Sequence, residues 1–178
     1  MLLHALSIVV QKEQDVVLLF IGGGSGLSKL RDLVKQLKLN NHVIFAGWIP
    51  HHYLPAIIRL SAISIGQLLP TRDNKGAIPK KVLEALACGV PVIALKDTVS
   101  KDLLIDGYNG LVISKPSAEI LAEKIIYLLT DQTLRKTLGD NARGHVLTFF
   151  SDDNFEQLVR KIKEFKLNGR RLNDSLNY

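Results

Sequence analysis

Short continuous apolar runs alternate with longer amphipathic stretches along this 178-residue chain. A short apolar run between turn residues is typical of a strand buried on both faces. Apolar spacing of three and four residues is typical of a helix packed on a sheet. The predicted strands span residues 16–21, 43–46, 62–65, 90–95 and 111–113. The predicted helices span residues 1–12, 27–39, 52–60, 79–88 and 97–105, and three more open at Ser117, near Asp131 and at Ser151. This alternation predicts an α/β fold, a Rossmann-like parallel sheet with helices on both faces and further helices at the C-terminal end.

The domain organisation is simple, because no internal repeat and no linker interrupts the pattern. Residues 1–169 are predicted to form one Rossmann-like domain, and residues 170–178 a polar basic tail. The net charge is +6, and the segment from Arg160 to Tyr178 carries +4 of it. Such a segment is typical of a solvated terminal helix or of contact with an anionic membrane surface. No aromatic platform is interleaved with the basic residues, so we expect no nucleic-acid partner.

The single cysteine, Cys88, excludes an internal disulfide and is consistent with a reducing compartment. No apolar run approaches the roughly 20 residues of a membrane span. The apolar start of the chain lacks the basic region and the cleavage site of a signal peptide, so none is predicted. We therefore expect a cytoplasmic protein, with peripheral contact at the inner face of the membrane as an extension of that expectation.

Two loops that follow predicted strands carry candidate chemistry. Residues 22–26 are glycine-rich and open a helix, so their backbone N–H groups are candidates for anion binding; a plain strand-to-helix turn is the alternative. The spacing does not fit a dinucleotide fingerprint, because Leu27 or Lys29 stands where the third glycine belongs, and no Gly-Lys-Ser/Thr of a P-loop follows. Residues 66–78 also follow a strand and include Arg72 and Lys75. Open α/β sheets bind ligands at the carboxyl ends of their strands.

The helix over residues 79–88 carries the most specific pattern. Pro79 suits a first helical turn, Gly89 suits the left-handed residue that ends a helix, and Pro91 prevents its continuation. Glu84 falls outside the apolar face, about one turn from the helix start, where the helix dipole favours an anion. The pattern predicts a carboxylate at the rim of the sheet; the alternative is a surface glutamate on an ordinary amphipathic helix.

Three segments together resemble a known family. Residues 84–92, Glu-Ala-Leu-Ala-Cys-Gly-Val-Pro-Val, resemble the signature of retaining nucleotide-sugar glycosyltransferases of the GT-B fold, the family-4 or group 1 type. Residues 43–50, Val-Ile-Phe-Ala-Gly-Trp-Ile-Pro, and residues 106–113, Asp-Gly-Tyr-Asn-Gly-Leu-Val-Ile, resemble two further patterns of that family in the same order. The resemblance covers nearly the whole chain. It implies the C-terminal, nucleotide-sugar-binding half of a GT-B enzyme of glycan biosynthesis.

The resemblance also implies a donor site. Glu84 would accept hydrogen bonds from the ribose hydroxyls, glycine-rich loops would offer N–H groups to the phosphates, and Trp48 with Ile49 would cradle the base. Arg72, Lys75 and Lys81 are candidates to replace in part the cations with which the family neutralises the diphosphate. The nucleotide-sugar-binding residues implied are Glu84, Lys81, Gly76, Ala77, Arg72, Gly23, Gly24, Trp48 and Ile49. The resemblance implies no cofactor beyond the nucleoside-diphosphate sugar that serves as donor substrate, and no metal. His51 and His52 have no Cys or acidic cluster at ligand spacing, which also argues against a metal site.

Two departures from the family pattern limit what is implied. Gly76 stands where the family has a Glu that contacts the donor sugar, so no catalytic residue is assigned. The chain also begins inside the first helix of the family's half-domain, without the preceding strand, its Arg and Lys, or the N-terminal acceptor domain. If the strand order is 3-2-1-4-5-6, that strand is the central one, and a seam between the strands at 16–21 and 62–65 is predicted. Either those two strands pair directly, or something else fills the gap. We expect a truncated fragment or one piece of a split enzyme, because an open seam exposes backbone groups and favours association.

Four functional hypotheses follow. The leading one is the donor-binding half of a glycosyltransferase, of the hexosyltransferase type, that transfers a sugar from a nucleoside-diphosphate sugar with retention; the isolated chain is then expected to be inactive. The second is a non-catalytic nucleotide-binding or partner subunit of a split glycosyltransferase. A nucleotide-sugar epimerase of the GT-B fold and an unrelated Rossmann module are the others. The expected partners are the nucleotide sugar and the missing N-terminal acceptor domain or a partner subunit.

Overall fold

The computed structural model describes residues 1–69 and 78–151 of the chain. Helices and strands alternate, as the hydrophobic pattern predicts. The helices are α1 (Leu2–Val9), α2 (Leu27–Gln36), α3 (Leu54–Arg59), α4 (Lys80–Ala87), α5 (Ala118–Thr130) and α6 (Gln132–Phe149). The strands are β1 (Leu18–Ile21), β2 (Val43–Gly47), β3 (Ser64–Ile65), β4 (Val92–Leu95) and β5 (Gly110–Ile113). The predicted helix beyond Ser151 and the predicted tail of residues 170–178 lie outside the described residues.

The strands form two parallel sheets. β1 pairs with β2, with Leu18 opposite Val43, and β3, β4 and β5 form the second sheet with β4 in its centre. Over the described ranges β1 and β3 are not paired with each other, and a groove of about 510 Å³ is lined by both strands. The division therefore falls at the predicted seam, and the two strands that border it do not pair directly.

Helices cover both faces of the second sheet. On one face, α1 and α5 pack against β4 and β5, and Val9 and Ile93 are fully buried there. On the opposite face, α4 and α6 pack against the same strands, and Leu86 and Ala94 are fully buried. Successive residues of a strand point to opposite faces, so a strand covered on both sides is buried at every position. All four residues of β4 are buried in this way.

Several helix boundaries follow from local chemistry. The Ile120 N–H donates to Ser117 Oγ at 3.2 Å, so the helix predicted to open at Ser117 is capped by that residue. The Leu134 N–H donates to Asp131 Oδ1 at 2.8 Å, so Asp131 caps the helix predicted to begin near it. Gly89 follows α4 with φ +75°, the left-handed conformation that ends a helix. The hydrophobic pattern and these caps fix α4, α5 and α6 to within a few residues of the prediction.

The predicted helix over residues 97–105 is wrong; this segment consists of turns. Asp97 adopts φ +63°, a conformation through which a right-handed helix does not continue. Thr98 Oγ1 donates to the Leu95 carbonyl at 2.6 Å, and the Ile105 N–H donates to the side-chain oxygen of the buried Asn109 at 2.8 Å. Side-chain hydrogen bonds to the backbone thus hold both ends of this segment, an alternative to helical bonds that such residues offer.

Candidate functional site

The loops that follow β1 and β2 meet at one edge of the molecule. The Gly22 N–H donates to the Gly47 carbonyl at 2.7 Å, and both glycines have positive φ, +107° and +70°. A Cβ added at Gly23 would lie 3.0 Å from Trp48 Nε1, so this glycine permits the indole to lie against the loop. The Trp48 side chain is otherwise open, at 84 % exposure. The edge therefore presents a glycine-rich backbone beside a bare aromatic face.

Glu84 lies beside this edge, on α4. Its Oε1 is 3.0 Å from Nε2 of His51, which begins the 3₁₀ turn after β2, and 3.6 Å from Nζ of Lys80. The Glu84 side chain is only 26 % exposed, so it is not a freely solvated surface glutamate. Both contacts use Oε1, and Oε2 remains available to accept hydrogen bonds within the part of the chain that the structure describes.

Lys81 lies on the same helix but points at the carboxyl end of β3. Its Nζ donates to the Gly66 carbonyl at 2.9 Å. Burial of the ammonium group lowers the pKa of Lys81, because a charged group loses hydration there. A lysine ammonium has three N–H donors, so one carbonyl leaves it able to donate further to an anion. Gly66 itself is tightly enclosed, since a Cβ there would lie 2.8 Å from the Cβ of Ala94.

The predicted site residues thus fall into two groups. The structure places Gly23, Gly24 and Trp48 in the adjoining loops after β1 and β2, with the half-buried Ile49 next in the chain. Glu84 on α4 contacts His51 after β2, and Lys81 on the same helix contacts Gly66 after β3. Arg72, Gly76 and Ala77 lie outside the described residues. The first group is contiguous through the His51–Glu84 contact, which joins the loop after β2 to α4.

His51 is the residue of this edge that the sequence did not single out. The sequence argues against a metal role for it, because no acidic residue stands at ligand spacing. Its acidic neighbour is Glu84, 33 residues further along, and only the fold brings the two together. The signal available beforehand was position alone, since His51 directly follows the segment expected to cradle the base.

Two further properties of the described residues bear on function. No group of three or more His, Cys, Asp or Glu side chains that could hold a metal ion occurs among residues 1–69 and 78–151. Within the same ranges, no helix has the length and apolar character needed to cross a bilayer.

Parallel strands with helices on both faces define an α/β domain of the Rossmann type. In such domains ligands bind at the carboxyl ends of the strands, the edge at which the glycine-rich loop, Trp48 and Glu84 lie. The sequence model of the family described as "Glycosyl transferases group 1" matches residues 1–145. The chain belongs to this glycosyltransferase family, and the predicted fold class, one half of the GT-B fold, is confirmed.

Individual relatives agree. The chain is 29 % identical over 154 residues to an uncharacterized glycosyltransferase of Methanocaldococcus jannaschii, an alignment that covers 86 % of this chain and 36 % of that protein. It is similar to the C-terminal domain of a Francisella tularensis glycosyl transferase group 1 family protein, LpcC, with a TM-score of 0.70, 26 % identity and coverage of 84 % and 77 %. The HepE protein of Anabaena, solved in complex with UDP, matches with a TM-score of 0.77, 22 % identity and coverage of 92 % and 44 %. The chain spans about two fifths of the length of several curated relatives and less than half of each of the others compared.

Proposed function

We propose that this chain is the donor-binding half of a glycosyltransferase, and that the edge formed by the loops after β1, β2 and β3 binds a nucleoside-diphosphate sugar. The observation that carries the proposal is the position of Glu84, half-buried on α4 and joined through His51 to the loop that presents Trp48. Family membership and the UDP complex of the Anabaena relative support a nucleotide as the ligand.

In this proposal Glu84 accepts hydrogen bonds from the ribose hydroxyls. A carboxylate has two oxygens with about four acceptor positions, and Oε2 is available for such bonds. His51 holds Oε1, which fixes the orientation of the carboxylate before the nucleotide arrives. Less conformational freedom is then lost on binding, and preorganisation of this kind increases affinity.

The phosphates are assigned to the glycine-rich loop and to Lys81. The N–H groups of residues 22–26 lie just ahead of the N-terminus of α2, a position that favours an anion. Lys81 lies at the loop after β3 and has N–H donors beyond the one that contacts the Gly66 carbonyl. Arg72, Gly76 and Ala77 are proposed to complete this part of the site, and the exposed Trp48 and the neighbouring Ile49 to receive the base.

Transfer itself is proposed to need a second half-enzyme. The reaction would be sugar transfer with retention, in which the site stabilises the negative charge that develops on the departing diphosphate. The donor is proposed to bind without a metal ion or other cofactor. The protein is proposed to be cytoplasmic, with peripheral contact at the membrane. The isolated chain would then bind donor without turning it over. Gly76, in place of a glutamate, favours one further candidate, a non-catalytic nucleotide-binding subunit of a split glycosyltransferase.

Isothermal titration with UDP, GDP and ADP tests the donor site. Glu84→Ala should weaken the binding of the nucleotide that binds best by roughly 10- to 100-fold. Each hydrogen bond to a charged group contributes about 1.5–3 kcal/mol, and water compensates for one of the two ribose hydroxyl bonds to Glu84, so the net loss is that of one bond. Glu123→Ala, an exposed glutamate on α5, is the matched control and should leave affinity unchanged. Equal affinities for both variants, or no binding of any of the three nucleotides by the parent chain, would exclude the proposed site.

Addition of the corresponding nucleotide sugars separates the two candidate functions. Transfer of the sugar to an acceptor by this chain together with the complementary half, and no transfer by this chain alone, supports the proposal that the chain is the donor-binding half. Binding without transfer in the assembled pair supports the non-catalytic subunit. Transfer by the isolated chain would contradict the requirement for a second half.

A further inference from the structure

The contact between His51 and Glu84 depends on where the imidazole carries its proton. His51 begins the 3₁₀ turn after β2, and its Nε2 lies 3.0 Å from Oε1 of Glu84 on α4. An ionised carboxylate accepts hydrogen bonds and donates none, so the contact is attractive only when Nε2 carries a proton. The contact therefore favours two forms of the ring, the neutral tautomer with the proton on Nε2 and the imidazolium.

The imidazolium makes the stronger contact of the two. A hydrogen bond between ionised partners is roughly twice as strong as a neutral one. The His51 side chain is 68 % exposed, and among the residues that the structure describes its Nδ1 has no hydrogen-bond partner. Nδ1 can thus take up a proton from solvent while Nε2 keeps its contact with Glu84.

Histidine is the residue type that answers to pH at this edge. The other charged or titratable side chains on the same turn and on the neighbouring helices α3 and α4 are those of His52, Tyr53, Arg59, Lys80 and Lys81. Among these residue types, only histidine ordinarily changes charge between pH 5 and 8. His52 stacks on Tyr53, with ring centroids 4.0 Å apart, and Lys81, whose pKa is lowered by burial, contacts Gly66 instead of Glu84. Lys80 lies 3.6 Å from the same carboxylate oxygen as His51.

A nucleotide sugar bound at this edge would favour the imidazolium. Its ribose would lie on Glu84 and its diphosphate nearby, so the ligand brings negative charge towards His51. It would also exclude water from the His51–Glu84 pair, and opposite charges attract each other more strongly where water is excluded. Linkage is reciprocal, so a ligand that favours the protonated form of His51 binds that form more tightly.

We propose that His51 is a positioning residue that acts through Glu84 and couples donor binding to a proton. His51 takes up a proton as the nucleotide sugar binds, and affinity for the nucleotide sugar rises as the pH falls from 8 to 6. The inference rests on the proposed donor site and adds to it a regulation by pH.

Calorimetric titration of the full 178-residue chain at pH 6, 7 and 8 tests the proposal. The ligand is whichever of UDP-glucose, GDP-mannose and ADP-glucose binds most tightly. A nucleotide sugar is preferred to a free nucleoside diphosphate, because a terminal phosphate itself titrates near pH 6. The parent should bind about two- to fivefold more tightly at pH 6 than at pH 8, the size expected of a partly exposed ion pair. At pH 7, titration in buffers of different ionisation enthalpy should show uptake of a fraction of a proton.

Three variants locate the effect. His51→Gln keeps an N–H donor at about the reach of Nε2 but does not titrate, so it should bind as the parent does at pH 8 and lose most of the gain at pH 6. His51→Ala should bind more weakly at every pH, because Glu84 Oε1 loses the shorter of its two contacts. His52→Gln is the matched control, since it removes an exposed histidine that stacks on Tyr53, and it should keep the pH dependence of the parent.

Glu84→Ala, titrated in parallel, separates failure of this inference from failure of the donor site. If Glu84→Ala weakens binding but the parent's affinity does not change with pH, the donor site stands and the inference is overturned. Equal pH dependence in the parent and His51→Gln, or a loss in His52→Gln as large as in His51→Gln, would also overturn it. A parent chain that binds none of the three nucleotide sugars at any pH would overturn both.

Discussion

Gly66 connects the packing of the sheet to the candidate site, and its replacement by alanine gives a quantitative test of the structure. The new Cβ would lie 2.8 Å from the Cβ of Ala94 and 3.2 Å from methyl groups of Val82 and Val92. Carbon atoms in favourable contact are about 3.5–4.0 Å apart, so the surrounding side chains must move by roughly 0.7 Å or more. Overpacking of this kind costs about 1–3 kcal/mol, and the reduced freedom of the unfolded chain offsets about 0.4–1 kcal/mol of it.

The expected net effect of Gly66→Ala is therefore a loss of about 1–2 kcal/mol in the free energy of unfolding. Urea unfolding followed by circular dichroism measures it, and for a chain of this size it corresponds to a fall in Tm of roughly 2–8 °C. Gly144→Ala is the matched control. Gly144 is exposed within α6 with nothing within 4 Å of the added Cβ, so this substitution should stabilise the protein by about 0.5–1 kcal/mol.

A double-mutant cycle assigns the cost to a specific contact. Ala94→Gly alone should destabilise by about 1–2 kcal/mol, through a lost buried methyl and a freer backbone. In the double variant, Ala94→Gly removes the closest clash that Gly66→Ala creates. The double variant should therefore be destabilised by about 1 kcal/mol less than the sum of the two single variants. Strict additivity of the two destabilisations, or a Gly66→Ala variant as stable as the parent, would refute the close packing of Gly66 against Ala94.

The remaining predictions concern Lys81, Asn109 and Trp48. Burial lowers the pKa of Lys81, so at a pH between that lowered value and the ordinary 10.5 the unfolded chain binds the extra proton. The parent's stability should rise with pH across this window, and Lys81→Met should flatten that rise in urea unfolding at pH 8, 9 and 10; equal slopes would contradict it. Asn109→Ala should lower the free energy of unfolding, measured by urea unfolding, by about 2–4 kcal/mol, since the buried Leu103 carbonyl and the partly buried Ile105 N–H lose their partners. Trp48 is the single tryptophan of the chain, and stacking of a base on it should quench its fluorescence as nucleotide binds; unchanged emission at saturating nucleotide would place the base elsewhere.

Local chemistry explains which parts of the fold the sequence predicts well. Ser117 and Asp131 cap their helices through contacts three residues away, and Gly89 ends α4 through its own backbone conformation. The apolar run of β4 indicates burial on both faces, which the structure confirms. In each case the interaction that determines the structure joins residues only a few positions apart, so the local sequence pattern predicts it.

Non-local contacts explain the rest. Residues 97–105 have helical spacing, but Asp97 takes a left-handed conformation and the buried Asn109 holds the end of the segment through hydrogen bonds to the backbone. The His51–Glu84 contact joins residues 33 positions apart, and sequence spacing gives no sign of it. The prediction of the seam depends on the strand order that the family resemblance implies; the hydrophobic pattern alone predicts one sheet.

The most direct test of the donor-site proposal is a crystal structure of the 178-residue chain with the nucleoside diphosphate that it binds most tightly. The proposal predicts the ribose hydroxyl oxygens within hydrogen-bond distance of the Glu84 carboxylate, the phosphates against the backbone of residues 22–26, and the base beside Trp48. A nucleotide bound away from this edge, with Glu84 still held only by His51 and Lys80, would contradict it.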